Sequence, residues 1–122
     1  RLEYRQKVAM KQWDGTVLEP VYASLSDENV LPEKWADIEP ELEYLADVAA
    51  ATGRTDNLLA FHLAPFWARF RWLGEHTTFP ERVRAVDGLA GWLDSTLEDP
   101  PVRDTLPDRD WAVKQYEKNY VD

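Results

Sequence analysis

Residues 57–73, NLLAFHLAPFWARFRWL, decide the fold predicted for this chain. Up to Ala68 the only polar side chains in this stretch are those of Asn57 and His62. A helix that is apolar on nearly every side is normally buried. At about 1.5 Å per residue it is about 25 Å long, which is enough to cross a small domain. We therefore predict a buried central helix with the rest of the chain packed around it.

The two ends of this helix differ in chemistry. Asp56 and Asn57 are the side chains available to cap its start, because their oxygens can accept hydrogen bonds from free backbone N–H groups. Pro65 removes one backbone hydrogen bond from the interior, so a bend is expected there. Arg69 and Arg71 are the first charged residues, and the last turns are expected to emerge at the surface.

The other segments show the apolar spacing of helices, and none alternates as a strand does. Helices are predicted over residues 2–25, 33–52, 79–97, 102–106 and 109–120. Gly88 and Gly91 are expected to allow a close approach to a neighbouring helix. The fold class predicted for residues 1–122 is therefore all-α, one domain built as a helical bundle around the buried central helix.

Single residues mark the expected interruptions of these helices. Pro20 is expected to kink or split the first helix, and Pro40 is expected to interrupt the second. Gly53 is expected to end the second helix, and Asp108 to cap the last one.

The bulk composition excludes several classes of function. A net charge of −9 disfavours binding to nucleic acids and to anionic membranes, and no apolar run has transmembrane length. The chain has no cysteine, and its two histidines lack metal-ligand spacing, so no metal site is predicted. We expect a cytoplasmic protein. Because the sequence starts at Arg1 and its one methionine is Met10, we also expect a fragment of a longer protein.

Three groups of side chains are candidates for a site. His62 is either a general base or, as we favour, a core histidine hydrogen-bonded to a carboxylate or the backbone. The six tryptophans are mostly core residues, but aromatic side chains from the first and last helices are also what an apolar pocket uses. The candidate pocket residues are Tyr4, Val8, Trp111 and Tyr116.

Four arginines at helix ends form the last candidate group. Arg69, Arg71, Arg82 and Arg84 could bind an anion or could pair with the abundant acidic residues. We favour ion pairs, which contribute little to stability when exposed.

Three stretches together resemble the C-terminal, all-helical domain of the cytosolic glutathione transferases. Family members often have Leu-Ala-Asp-aromatic-His-Leu-Ala-Pro-aromatic followed by Ala-Arg, and residues 59–69, LAFHLAPFWAR, match most of it. Residues 79–83, FPERV, lead through GWL at 91–93 to PVRDTLP at 101–107, which looks like the family's closing segment. The helix over residues 31–45, with its internal proline, is the third.

The chain departs from the family pattern in two places. The aspartate that the family places between the residues matching Ala60 and Phe61 is missing. In the family it belongs to an N-terminal capping box, so we expect either that Asp56 or Asn57 substitutes as the cap or that the start of the helix is weakened. The thioredoxin-like N-terminal domain, which in the family holds glutathione and activates its thiol, has no counterpart pattern in this sequence.

The resemblance implies that the chain is the helical half of a glutathione transferase. Glutathione would be the co-substrate, bound mainly by the thioredoxin-like N-terminal domain. This half would supply a pocket for a small hydrophobic electrophile around Tyr4, Val8, Trp111 and Tyr116 and part of a possible homodimer interface. Asp56, Asn57, His62 and Pro65 would have structural roles. A second hypothesis is a non-catalytic interaction module of the same type, and a third is a free-standing helical pocket for an apolar ligand.

Overall fold

A computed structural model describes residues 1–121, which are all-helical and contain no strand. The α-helices are α1 (Leu2–Gln12), α2 (Leu18–Ser24), α3 (Val30–Thr52), α4 (Leu58–Trp72), α5 (Phe79–Val83), α6 (Leu89–Glu98), α7 (Pro100–Arg103) and α8 (Arg109–Tyr120). A π-helical segment, Trp13–Val17, joins α1 to α2. Within this part of the chain no helix combines the length and the apolarity that a membrane crossing needs.

Helix α4 is the centre of the bundle, as predicted. It packs against α1, α5, α6, α7 and α8, while α3 covers α1, α2 and α6. Its buried side chains are Leu59, Ala60, Leu63, Ala64, Trp67, Ala68 and Phe70. The helix is not buried on every side, because Leu58 and Phe61 are exposed. The apolar composition of the stretch therefore overstates how completely it is enclosed.

The π-helical segment explains how the first helix keeps one face in the core. Ala9, Trp13, Val17 and Val21 are all buried and recur at intervals of four residues. In a regular α-helix each step of four residues turns past a full circle by about 40°, so such a row drifts around the helix. A π turn holds more residues per turn than an α turn. The π-helical turn therefore offsets this drift, and the four buried side chains stay on the face that packs against α3 and α4.

Pro40, which was expected to interrupt the second helix, does not do so. The first helix loses its regular α-helical form over Trp13–Val17, just before Pro20, and α2 continues through Pro20 to Ser24. Pro40 lies inside α3, which is continuous from Val30 to Thr52. Pro40 is exposed, so water can reach the backbone carbonyl that its ring leaves without a partner. Pro65 also lies within a continuous α4, and the bend expected there stays a prediction.

The predicted caps are largely confirmed. The Asn57 side chain accepts a hydrogen bond from the backbone N–H of Ala60 at 2.9 Å, and Asp108 accepts one from Trp111 at 2.9 Å. Gly53 ends α3 with a φ of 63°, a left-handed conformation that favours glycine. Asp56 as a cap is wrong, because its carboxylate pairs with the Arg54 guanidinium at 2.9 Å.

Replacing Asn57 with alanine is expected to lower the free energy of unfolding by about 1 kcal/mol, because the Ala60 N–H then loses its acceptor. Asn57→Ser is the matched control, since serine caps about as well as asparagine. Urea unfolding followed by circular dichroism measures both. An alanine variant as stable as the serine variant would show that the cap does not contribute.

The segment predicted as one helix over residues 79–97 consists of two. Helix α5 ends at Val83, residues 84–88 form turns, and α6 begins after Gly88, whose φ is 77°. The expected close approach at Gly88 and Gly91 is wrong, because a Cβ added at either would have no other atom within 4 Å. Gly88 is used for its backbone conformation instead. The short helix expected at residues 102–106 occurs earlier, at Pro100–Arg103.

Candidate functional site

Helix α8 is attached to the bundle through few buried side chains. Ala112 is its one buried residue within the described helix, while Trp111 is 59% exposed. The helix packs on α4, and its aromatic residues reach Tyr22 on α2. A large side chain such as Trp111 is seldom left this open without a ligand or partner when other apolar groups adjoin it.

Three tyrosine rings form the inner side of this region. The Tyr22 and Tyr116 rings are stacked with centroids 5.7 Å apart, and the Tyr116 and Tyr120 rings are stacked at 5.6 Å. Tyr22 also meets the ring of Phe70 edge to face at 5.2 Å. Tyr116 and Tyr120 are four residues apart, which places both on one side of α8. This tyrosine stack therefore joins α8 to α2 and α4.

The Tyr22 hydroxyl donates a hydrogen bond to the Tyr116 hydroxyl over 3.3 Å. Burial raises the pKa of Tyr22, and the hydrogen bond with Tyr116 raises it further. Tyr22 is therefore protonated at neutral pH and acts as a donor within the stack, not as a base.

Beside the tyrosine stack lies an open cavity of about 260 Å³, which we call the α8 groove. The groove is lined by Arg69, Trp111, Gln115, Tyr116, Asn119 and Tyr120. Aromatic faces with a few polar groups are the usual lining of a small-molecule site. None of these side chains is a base with an ordinary pKa near neutrality. The arrangement can bind and orient a ligand, but it offers no group to remove a proton from one.

Arg69 gives the groove its positive charge. Its guanidinium carbon lies 5.5 Å from the centre of the Tyr116 ring, within the range of a cation–π contact. Its Nε atom is buried and has no hydrogen-bond partner among residues 1–121. In the same part of the chain no carboxylate pairs with Arg69, whereas Arg71 and Arg84 both contact Asp94, at 3.2 and 3.4 Å.

The loop before α5 holds α8 at a second point. The Nε2 atom of His76 lies 2.8 Å from a Glu117 carboxylate oxygen and 3.5 Å from one of Glu75. Imidazole nitrogen and carboxylate oxygen are ligand types that zinc accepts, and the three ligand atoms lie within 4.8 Å of one another. Glu75 is largely exposed, and the contact between His76 and Glu117 by itself accounts for the arrangement as a tether for α8.

His62 has the carboxylate partner expected from the sequence, but it is only partly buried and is not a core residue. Its Nε2 atom lies 2.8 Å from the carboxylate of Asp14, which belongs to the π-helical segment. The imidazole ring is also 6.1 Å from the Phe66 ring. The pair links the π-helical segment to the central helix.

The structure unites only half of the predicted pocket. Trp111 and Tyr116 line the α8 groove, but Tyr4 and Val8 do not. Both belong to α1, which packs on α3 and α4, and Tyr4 is 66% exposed. The sequence did not reveal Tyr22 as a neighbour of α8, because the contact joins residues 94 positions apart. Tyr120 could have been found, since it follows Tyr116 by one helical turn.

Comparison with known proteins adds no family to these observations. No protein-family model, curated protein or solved structure matches the chain.

Proposed function

We propose that the chain is the helical half of a glutathione transferase and that the α8 groove supplies the pocket for the hydrophobic acceptor. The proposal is supported chiefly by Trp111 and Tyr116, which the resemblance assigned to the acceptor side and which line one groove. The resemblance itself rests mainly on the sequence motif at residues 59–69. The reaction would be attack of the glutathione thiolate on the electrophile, with loss of its leaving group.

The chemistry of the groove defines what this half contributes. The Tyr22 pKa is raised, so this tyrosine cannot take a proton from a thiol at neutral pH. The groove residues offer aromatic faces, amides and a guanidinium, which bind and orient an acceptor. Activation of the glutathione thiol would therefore come from a thioredoxin-like N-terminal domain, which would also hold most of the glutathione.

The isolated chain is expected to give no conjugation of glutathione to 1-chloro-2,4-dinitrobenzene above the uncatalysed rate. Joined behind a thioredoxin-like domain of a glutathione transferase, it is expected to restore turnover that neither part shows alone. Trp111→Ala in the joined protein should raise the KM for the acceptor and leave the KM for glutathione unchanged, because the side chain contacts only the acceptor.

Two results would count against the proposal. Conjugation by the isolated chain would refute the division of roles between the two halves. A joined protein in which both halves are folded, yet in which Trp111→Ala changes neither KM, would refute the assignment of the groove.

A non-catalytic interaction module of the same domain type is the second candidate. It is favoured by the large apolar side chains left open on three helices, those of Tyr4, Leu58, Phe61, Trp111 and Tyr120. Such residues are enriched in protein interfaces, and they could equally serve a homodimer. Turnover by the joined protein distinguishes the two functions, since a module joined to the thioredoxin-like domain would fold and assemble but would give no conjugation.

A further inference from the structure

We infer that the α8 groove prefers aromatic carboxylates over neutral aromatic compounds and that Arg69 makes this selection. The inference rests on the proposed function, because it names the class of acceptor that the same groove takes. It starts from an observation that the proposed function does not use, which is that the guanidinium in this aromatic groove has no acidic partner among residues 1–121.

Among the arginines of residues 1–121, Arg69 is distinguished by a buried Nε atom that has no hydrogen-bond acceptor. Acidic residues outnumber basic ones by 23 to 14, so a nearby carboxylate is available to most arginines. Arg71, two positions further along the same helix, pairs with Asp94. Arg69 instead lies against the Tyr116 ring with its Nε buried and unpartnered. A buried donor without an acceptor is unfavourable, and a ligand that brings an acceptor relieves this.

The local charge of α8 also favours an anion. The groove lining contains no acidic side chain. The helix itself carries three basic residues, Arg109, Lys114 and Lys118, against two acidic ones, Asp110 and Glu117. Glu117 is directed to His76, whose ring nitrogen it contacts at 2.8 Å. The potential at the groove is therefore more positive than the net charge of −9 suggests.

The shape of the groove indicates an aromatic carboxylate among possible anions. A guanidinium is planar and can donate two parallel hydrogen bonds to a carboxylate. The Trp111 and Tyr116 rings provide flat apolar surface for an aromatic ring attached to that carboxylate. At about 260 Å³ the cavity is smaller than the roughly 300–1,000 Å³ of drug-sized sites, so the ligand is small.

The test compares two ligands that differ in charge and little else, naphthalene-2-carboxylate and naphthalene-2-carboxamide. Each is titrated into the full chain, with affinity measured by calorimetry and the site located by changes in the amide and indole NMR signals. The carboxylate is expected to bind about tenfold tighter than the amide, as for a charge-assisted hydrogen bond. Raising the salt concentration should reduce that preference.

Substitutions assign the preference to one residue. Arg69→Gln is expected to bring the two affinities close together, and Arg69→Lys to retain part of the preference. Arg71→Gln is the matched control on the same helix and should leave both affinities unchanged, because Arg71 pairs with Asp94 outside the groove. Trp111→Ala should weaken both ligands alike, since it removes aromatic surface and no charge.

The possible outcomes separate this inference from the proposed function. If the unaltered chain binds both ligands at the groove equally well, the inference is overturned and the acceptor pocket stands. If neither ligand binds, both the inferred preference for carboxylates and the assignment of the groove as the acceptor pocket are wrong. A preference that Arg71→Gln reduces as much as Arg69→Gln would reflect general charge attraction and would also overturn the inference. The comparison of ligands on the unaltered chain requires no variant to fold.

Discussion

Replacing Trp67 with alanine is expected to lower the free energy of unfolding by about 3–5 kcal/mol, the range for removing a large aromatic side chain from a core. Trp67 lies in the middle of α4 and is fully buried. Its Nε1 donates a hydrogen bond to Asp94 on α6 at 2.9 Å. The substitution thus opens a cavity at the centre of the bundle and removes one tie between α4 and α6. Urea unfolding followed by circular dichroism measures the loss.

Two controls separate burial from residue type in this prediction. Trp111→Ala removes the same side chain from an exposed position, so its effect should stay within about 0.5 kcal/mol. Trp67→Phe keeps an aromatic ring in the core and loses the indole donor and part of the buried volume, while Arg71 and Arg84 still contact Asp94. It should therefore cost less than alanine. Equal losses for Trp67→Ala and Trp111→Ala would contradict the placement of α4 at the centre.

Local chemistry made part of this fold predictable from the sequence. Caps such as Asn57, Gly53 and Asp108 act on backbone groups within three or four residues, so their effect can be inferred without knowing the rest of the fold. The long apolar stretch identified the central helix because a helix that is apolar on nearly every side is normally buried.

The failed predictions all depend on what surrounds a residue. Pro40 would break a helix whose carbonyls cannot reach water, but its position on α3 is exposed. The sequence did not predict the π-helical segment just before Pro20, which leaves Trp13 and Val17 buried in the core. Because glycine has no side chain, Gly88 was expected to let two helices approach closely, but its role is to adopt a left-handed φ.

The candidate site was half predictable for a related reason. Trp111 and Tyr116 belong to one predicted helix, but residues five positions apart point about 140° away from each other around a helix, so the helical repeat does not predict that they line one groove. The partners that complete the region come from elsewhere, with Tyr22 on α2 and Arg69 on α4. Arg69 was one of four similar arginines in the sequence, and only its contact with Tyr116 distinguishes it from Arg71.

Replacing Ala64 with leucine is expected to lower the free energy of unfolding by about 1–3 kcal/mol, the cost of adding volume to a packed core. Ala60, Ala64 and Val102 form a small buried cluster between α4 and α7, so a larger side chain at 64 would push α7 away. Urea unfolding measures the loss, and faster amide exchange in α7 locates it. Ala51→Leu, on the exposed face of α3, is the matched control and should be near neutral. If Ala64→Leu changes the free energy of unfolding as little as Ala51→Leu does, the small side chains of the 59–69 motif are not what allows α7 to pack against α4.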